Sequence, residues 1–240
     1  MSRYWRLGLS CLIVLVAWVA FGSASADSES PVVSLRHADS AGVFLRVQSP
    51  ATTPVSVPGA SPYARLTVPQ APPMARPGAP ALPYVITSIA IPAHGEATAE
   101  ITSADCALVP GQWRLEPALE WSLAPSGPDF MQQWVDDGMQ WQQTTHEDPA
   151  IYGSAASFPP TLVELSSPQT MRGRRVVQVR VYPWQTTPMS GQLRFCRTIE
   201  MRVLFSHPAA TQTGAAPADS DFDALLAAQV LNWPVARAWP

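Results

Sequence analysis

The chain has 240 residues, 15 basic against 18 acidic side chains and a formal net charge of −3, a balance that excludes nucleic-acid binding through a basic surface. Its 26 prolines argue against a helical bundle, because each removes an amide donor and few positions inside a helix accept one.

The first 26 residues read as an export signal. Arg3 and Arg6 precede an uncharged apolar run from Leu7 to Gly22, and Ala24-Ser25-Ala26 supplies the small residues that signal peptidase requires. The run is shorter than the roughly 20 apolar residues that span a bilayer. Cleavage is therefore expected between Ala26 and Asp27, with a secreted, extracellular product and no membrane association afterwards. Loss of Arg3 and Arg6 takes the charge from −3 to −5. Cys11 leaves with the leader, so Cys106 and Cys196 remain as a pair in an oxidising compartment. Period-two phasing puts Cys106 with Thr98, Glu100 and Thr102, and Cys196 with Arg194, Thr198 and Glu200, on polar strand faces. A disulfide and two unrelated thiols are both compatible with that placement.

From Asp27 onward the pattern is β-rich. Val32 to Leu35 and Val43 to Val47, joined by Asp39-Ser40-Ala41-Gly42, predict a hairpin. Nine prolines crowd residues 50–80, so that stretch, interrupted only by Tyr63 to Val68, reads as loop or edge strand outside the core. Between Pro83 and Pro92, Val85, Thr87, Ile89 and Ile91 alternate with Tyr84, Ile86, Ser88 and Ala90. Between Leu193 and Phe205 the odd positions are apolar except Arg197. Such alternation places one set of side chains in a core and the other in water. Arg175 to Tyr182 is expected to pair with the Leu193–Phe205 strand, with Pro183 to Gly191 as the connection.

Leu115 to Met171 contains no Lys or Arg and carries Glu116, Glu120, Asp129, Asp136, Asp137, Glu147 and Asp148, an acidic insertion. Phe130, Met131, Trp134, Val135 and Trp141 predict a short amphipathic helix broken near Gly138. Ala209 to Ala218 has linker composition. Ser220 is then expected to cap a helix, Asp223 to complete a capping box, and Phe222, Leu225, Leu226, Gln229 and Val230 to follow helical spacing up to Pro234. The fold class is therefore all-β, an antiparallel β-sandwich with a short acidic helical or loop insertion and a C-terminal helix. Its segments are 1–26, a leader; 27–77, a hairpin and Pro-rich stretch; 78–208, the sandwich; 209–219, a linker; and 220–240, the helix and a processing region.

No catalytic, cofactor or metal motif is legible. His37, His94, His146 and His207 are scattered, and HExxH, CxxC, GxSxG and phosphate-cradling glycine loops do not occur. Cys196 with His207 would serve a small cysteine hydrolase, but a regular strand lacks the helix N-terminus or sharp turn that activates a thiolate. Asp136-Asp137 lacks the spacing of a calcium loop. Trp113, Trp121, Trp134 and Trp141 suggest instead a free-standing extracellular module that binds polysaccharide or a surface protein.

One family combines these features. Gly78-Ala79-Pro80-Ala81-Leu82-Pro83 before the strand to Pro92, then Pro149-Ala150-Ile151-Tyr152-Gly153, Phe158-Pro159-Pro160, Arg172-Gly173-Arg174-Arg175-Val176-Val177, and Pro183 to Pro188 before the strand ending at Phe205 resemble the N-terminal propeptide of gingipain-type (C25) cysteine proteases. The similarity spans about residues 78–237, and the order of the motifs carries it. It implies a non-catalytic sandwich prodomain that assists folding of its protease and blocks the active site until cleaved, with a C25 protease domain in cis as partner and no cofactor. It further implies processing at Arg237-Ala238, with the catalytic His and Cys beyond Pro240. Inhibition in the family resembles substrate mimicry by a basic loop residue. The matching stretch here lacks one, so either the cognate enzyme does not prefer basic residues, or blocking is steric, or Arg114 or Arg172 at the margins plays the part; Arg114, Met131, Trp134 and Arg172 are the candidate inhibitory contacts.

Overall fold

The computed structural model describes residues 30–59, 62–124, 140–171, 173–208 and 220–239. Ala24, Ala26, Asp27, Met131, Trp134 and Arg172 lie outside them, as does most of the helix expected in the acidic insertion.

Two antiparallel sheets supply the main core. In the first, β1 (Val32–Ala38) and β2 (Gly42–Gln48) form the expected hairpin. Its turn is tied by Asp39, whose Oδ1 accepts from the amides of Ala41 and Gly42 at 2.8 and 3.0 Å. β2 and β12 (Trp184–Thr187) pair end to end along one edge of the 14-residue β13 (Gln192–Phe205), and β6 (Ala97–Val109) runs along its other edge. In the second sheet β11 (Arg174–Val181) is central, with β5 (Val85–Ile91) on one side and the short β9 (Val163–Leu165) and β10 (Gln169–Met171) on the other. Val43, Leu45, Val47, Ile199, Met201 and Val203 of the first sheet share one buried cluster with Val85, Ile89, Val177, Val179 and Val181 of the second. Burying each such side chain contributes about 1.5–3 kcal/mol. On the polar face of β2 and β13 Arg46 pairs with Glu200 at 2.7 Å, and the Arg202 guanidinium lies 5.7 Å from the Phe44 ring.

The all-β antiparallel class matches the sequence; several connections do not. β11 does not pair with β13. Pro183 ends β11, the chain crosses to the other sheet, and Trp184 to Thr187, within the expected connection, is itself the strand that pairs with β13. Trp184 is 1% exposed and stacks on Phe195 at 4.2 Å, an apolar gain that a solvent loop would forgo. The hairpin β1–β2, expected outside the sandwich segment, supplies an inner strand to the core.

The Pro-rich stretch is not confined to the surface either. Ala64, Leu66 and Ala79 are buried in a second cluster with Leu82, Leu115, Ile151, Phe158, Trp184, Leu193 and Phe195. Short pairings hold it: β3 (Val55–Ser56) with β4 (Ala64–Arg65), and reciprocal backbone hydrogen bonds of 2.7 and 2.8 Å between Phe158 and Thr186. Gly78 adopts φ +76°, and a Cβ there would lie 3.1 Å from the Asp148 amide nitrogen. Only glycine fits that turn without strain.

Cys106 and Cys196 face each other across β6 and β13 and form a disulfide. Cys196 does not sit on a polar face as the phasing predicts: it is 1% exposed and belongs to the main core. A bulge between Cys196 and Thr198 makes Arg197 the extra residue, resets the alternation and leaves Arg197 exposed. The same bulge explains why Arg197 interrupts the odd apolar face.

The C-terminal segment also departs from expectation. α2 (Ser220–Gln229) ends before Pro234, and Pro234 opens a second short helix, α3 (Trp233–Ala236), in whose first turn its missing amide is not needed. Leu226, Val230, Trp233, Ala236 and Trp239 are buried in the main core. Leu225, equally apolar, points outward at 49% exposure.

Candidate functional site

The acidic insertion is organised at its base. β7 (Glu120–Ala124) and β8 (Gln140–Thr144) pair antiparallel, so residues 125–139 connect the two strands of a hairpin. Trp141 falls on β8 and not on a helix, because its backbone pairs opposite Leu123. Beneath the hairpin, α1 (Pro149–Tyr152) is started by Asp148, whose Oδ1 accepts from the Ala150 amide at 2.9 Å, with Pro149 in the first turn.

Charged groups lock this base to the Pro-rich segment. The Arg114 guanidinium donates to both carboxylate oxygens of Glu147, through Nε at 2.7 Å and through Nη2, and the Tyr63 hydroxyl donates to the same carboxylate at 3.0 Å. Arg114 also lies 5.4 Å from the Tyr152 ring centroid. Hydrogen bonding to Glu147 raises the Arg114 pKa above its ordinary value. Burial, and secondly the Glu147 charge, raise that of the Tyr152 phenol, so Tyr152 stays neutral and donates to the Leu115 carbonyl at 2.7 Å. Arg65 makes a second bidentate pair with Glu116, and His146 lies 3.4 Å from Glu120. Arg114 is thus engaged at the hairpin base, and it is the member of the candidate inhibitory set that lies among the described residues.

Beside the hairpin runs a groove of about 970 Å³ between the Pro-rich segment and β7, lined by Tyr63, Leu66, Pro73, Met74, Pro117 and Trp121. Leu119 and Trp121 stand at its rim, 45% and 57% exposed. Trp113 behaves differently. Its indole N–H donates to the Pro110 carbonyl at 3.0 Å and its ring packs on the second core. The proposed tryptophan surface therefore does not assemble from Trp113 and Trp121 as equals.

The remaining sequence candidates are dispersed. Cys196 is disulfide-bonded, so it offers no thiolate to His207, whose ring nitrogen is 3.1 Å from the Ser206 hydroxyl. Among the described residues no group of three His, Cys, Asp or Glu side chains is placed to hold a metal ion, and no helix is long and apolar enough to cross a membrane. Arg237 and Ala238 are exposed at the far end of the C-terminal segment, flanked by buried Ala236 and Trp239. Sequence reasoning missed Tyr63, Glu147 and Tyr152 as partners of Arg114. Arg114 and Glu147 are separated by 33 positions, and no periodicity links them.

Four of the motifs that carried the family resemblance converge on this half of the molecule, while Val176 and Val177 of the Arg172–Val177 motif belong to the main core. Ala79, Leu82, Ile151, Phe158 and Trp184 pack together in the second core. The Gly78 carbonyl accepts from the Asp148 amide at 2.9 Å, directly before the Pro149 motif. Gly173, with φ +76°, occupies the turn expected of the Arg172-Gly173 pair.

Comparisons with known proteins agree with this arrangement. The family model Propeptide_C25 matches residues 27–219. Among solved structures, the fold is similar to that in the complex of Porphyromonas gingivalis RgpB pro- and mature domains, with a TM-score of 0.66 at 19% identity over 84% of this chain and 96% of that one. It is also similar to a structure addressing the zymogenic latency of gingipain K from Porphyromonas gingivalis, with a TM-score of 0.56 at 20% identity over 75% of this chain and 95% of that one. No curated protein matches. The chain belongs to the Propeptide_C25 family and is a non-catalytic propeptide of a C25 peptidase precursor.

Proposed function

We propose that this propeptide is the secreted, intramolecular chaperone and active-site-blocking inhibitor of a gingipain-like cysteine endopeptidase linked to it in cis. The observation that carries the reading is the family match over residues 27–219. The fold shared with a prodomain described in complex with its mature domain supports it. Export follows from the leader at 1–26, cut between Ala26 and Asp27, where the family match begins.

The blocking element is the β7–β8 hairpin. Residues 115–171 contain no Lys or Arg, so no basic side chain there can mimic a substrate's specificity residue. Blocking is instead steric, and Met131 and Trp134, in the stretch that joins β7 to β8, are its candidate contacts. Arg114 acts as a positioning residue, holding the hairpin base through Glu147, and Arg172 is a secondary contact. Arg237-Ala238 is the processing bond.

Tethering supplies much of the strength. A short linkage gives an effective concentration of about mM, so a modest intrinsic affinity suffices to silence a linked enzyme. The test compares the catalytic domain fused to the propeptide with the same domain mixed with the free propeptide. Residual activity should be lowest in the fused form, with the free form inhibiting at lower potency. Equal potency in the two formats would contradict the tethered mechanism.

The alternative, a free-standing module for polysaccharide or a surface protein, draws on exposed Trp121 and the adjacent groove. Saturable binding of a glycan that Trp121→Ala abolishes would favour it.

A further inference from the structure

The family match stops at residue 219, yet the segment after it buries one face in the main core. Leu226, Val230, Trp233, Ala236 and Trp239 are each 5% exposed or less. They are joined to the outer edge of β5 by hydrogen bonds that imitate a neighbouring strand. The Leu231 amide donates to the Ser88 carbonyl at 2.9 Å. Two residues along the edge, the side-chain amide of Asn232 does the work of a strand backbone: its Oδ1 accepts from the Ala90 amide at 2.8 Å and its Nδ2 donates to the Ala90 carbonyl at 2.9 Å. Asn232 is wholly buried. An edge that would otherwise offer unpaired donors and acceptors is thereby closed.

Arg174 holds the far end of the segment. Its guanidinium lies 5.9 Å from the Trp233 ring centroid and donates to the carbonyls of Trp239 and Arg237. Trp239 meets Phe205 edge to face at 5.7 Å. The Arg237–Ala238 peptide bond therefore sits in a hydrogen-bonded turn: Arg237 has φ −60° and ψ −23°, its amide donates to the Trp233 carbonyl at 2.9 Å, and the Trp239 amide donates to the Ala236 carbonyl at 3.0 Å. A protease must open such a turn before cleaving it, and the rate then follows the population of the open form.

We propose that the β5 edge and the Arg174 shelf form a binding site for residues 220–239, which act as a clasp. The clasp remains bound when the chain is cut within residues 209–219, and it protects the Arg237–Ala238 bond until it undocks. Consequently a cut in the linker alone does not separate the propeptide body from anything attached to the clasp. The biological order of events rests on the prodomain reading given above; the binding site itself does not.

The experiment uses the full exported chain with a site-specific protease sequence substituted into residues 209–219. After nicking, the 220–240 piece should travel with the body on gel filtration and separate only in denaturant. Separation on the column under native conditions would overturn the proposal. Trypsin serves as an arginine-directed probe of the uncut chain. Cleavage after Arg237 should be at least about tenfold slower in the native chain than in the unfolded one, should rise about tenfold in Asn232→Ala, and should rise less in Arg174→Ala. Equal rates after Arg237 in native and unfolded chains would also overturn the proposal. If Asn232→Ala fails to fold, the nicked wild-type chain decides the question. No C25 enzyme is present in either assay, so failure here leaves the inhibitor reading intact, and failure of inhibition leaves the clasp intact.

Discussion

The main core and the second core meet along β13, which supplies Ile199, Met201 and Val203 to one and Leu193 and Phe195 to the other, yet they are built from different kinds of sequence. The main core consists of aliphatic side chains at alternate strand positions, sealed by the C-terminal clasp. The second gathers single residues from irregular segments around the stacked pair Trp184 and Phe195. The first gives the propeptide its rigid body. The second ties the Pro-rich stretch, α1 and the base of the β7–β8 hairpin to that body, and so sets where the hairpin stands. Alternation makes a sheet stable, while converging motifs position what projects from it.

If both cores belong to one cooperative unit through β13, damage to either should lower the same unfolding midpoint. Trp184→Ala is expected to have the largest effect, about 3–5 kcal/mol as for other large-to-small aromatic changes in packed sites. Urea titration followed by circular dichroism should show a single, shifted transition. Two separate transitions would mean that the second core melts alone.

Next comes the Cys106–Cys196 disulfide, which bridges residues 90 positions apart and clamps β6 to β13. The Cys106→Ser, Cys196→Ser double variant should lose about 2–4 kcal/mol, the usual value for a native bridge closing a long loop. The same titration checks it, and an unchanged midpoint would show that the ladder between β6 and β13 needs no staple.

Gly42→Ala tests the hairpin junction. A Cβ at this position would lie 2.6 Å from the Val203 carbonyl oxygen, a backbone atom that cannot swing away. The expected loss is about 1–3 kcal/mol, read from thermal unfolding. Arg114→Gln should have the smallest effect on stability, below about 1 kcal/mol, because the pair with Glu147 is partly exposed to solvent. Its consequence belongs to the hairpin: inhibition of the protease should weaken several-fold while the unfolding midpoint stays. A large stability loss without a change in inhibition would remove Arg114 from its positioning role.

How much of this was legible depended on the core concerned. β1, β2, β5 and β13 follow from alternation, since Val43, Leu45, Val47 and Ile199 to Val203 repeat every second residue. The pairing partner of β13 did not follow, because period two reports which face a side chain takes and not which strand lies beside it. Cys196 and Arg197 misled the phasing because a bulge inserts one residue without a sequence mark. The second core was invisible to periodicity. Leu82, Ile151 and Phe158 are isolated apolar residues near prolines, and the order of the motifs containing them points to the family instead. From composition Pro234 is a helix stop, whereas in the fold it lies in the first turn of α3; the two roles look alike in sequence and are distinguished by where Asn232 finds its partner. The Arg114–Glu147–Tyr63 cluster brings together residues from three segments, and only the folded chain unites them.

The measurement that bears most directly on the account is steady-state inhibition of an active C25-type catalytic domain, of the enzyme this propeptide precedes, by the exported chain added in trans. The account predicts competitive inhibition that is lost when Met131 and Trp134 are both replaced by Ala and retained when Trp121 is. Undiminished protease activity at saturating propeptide, with the chain shown to be folded, would contradict it.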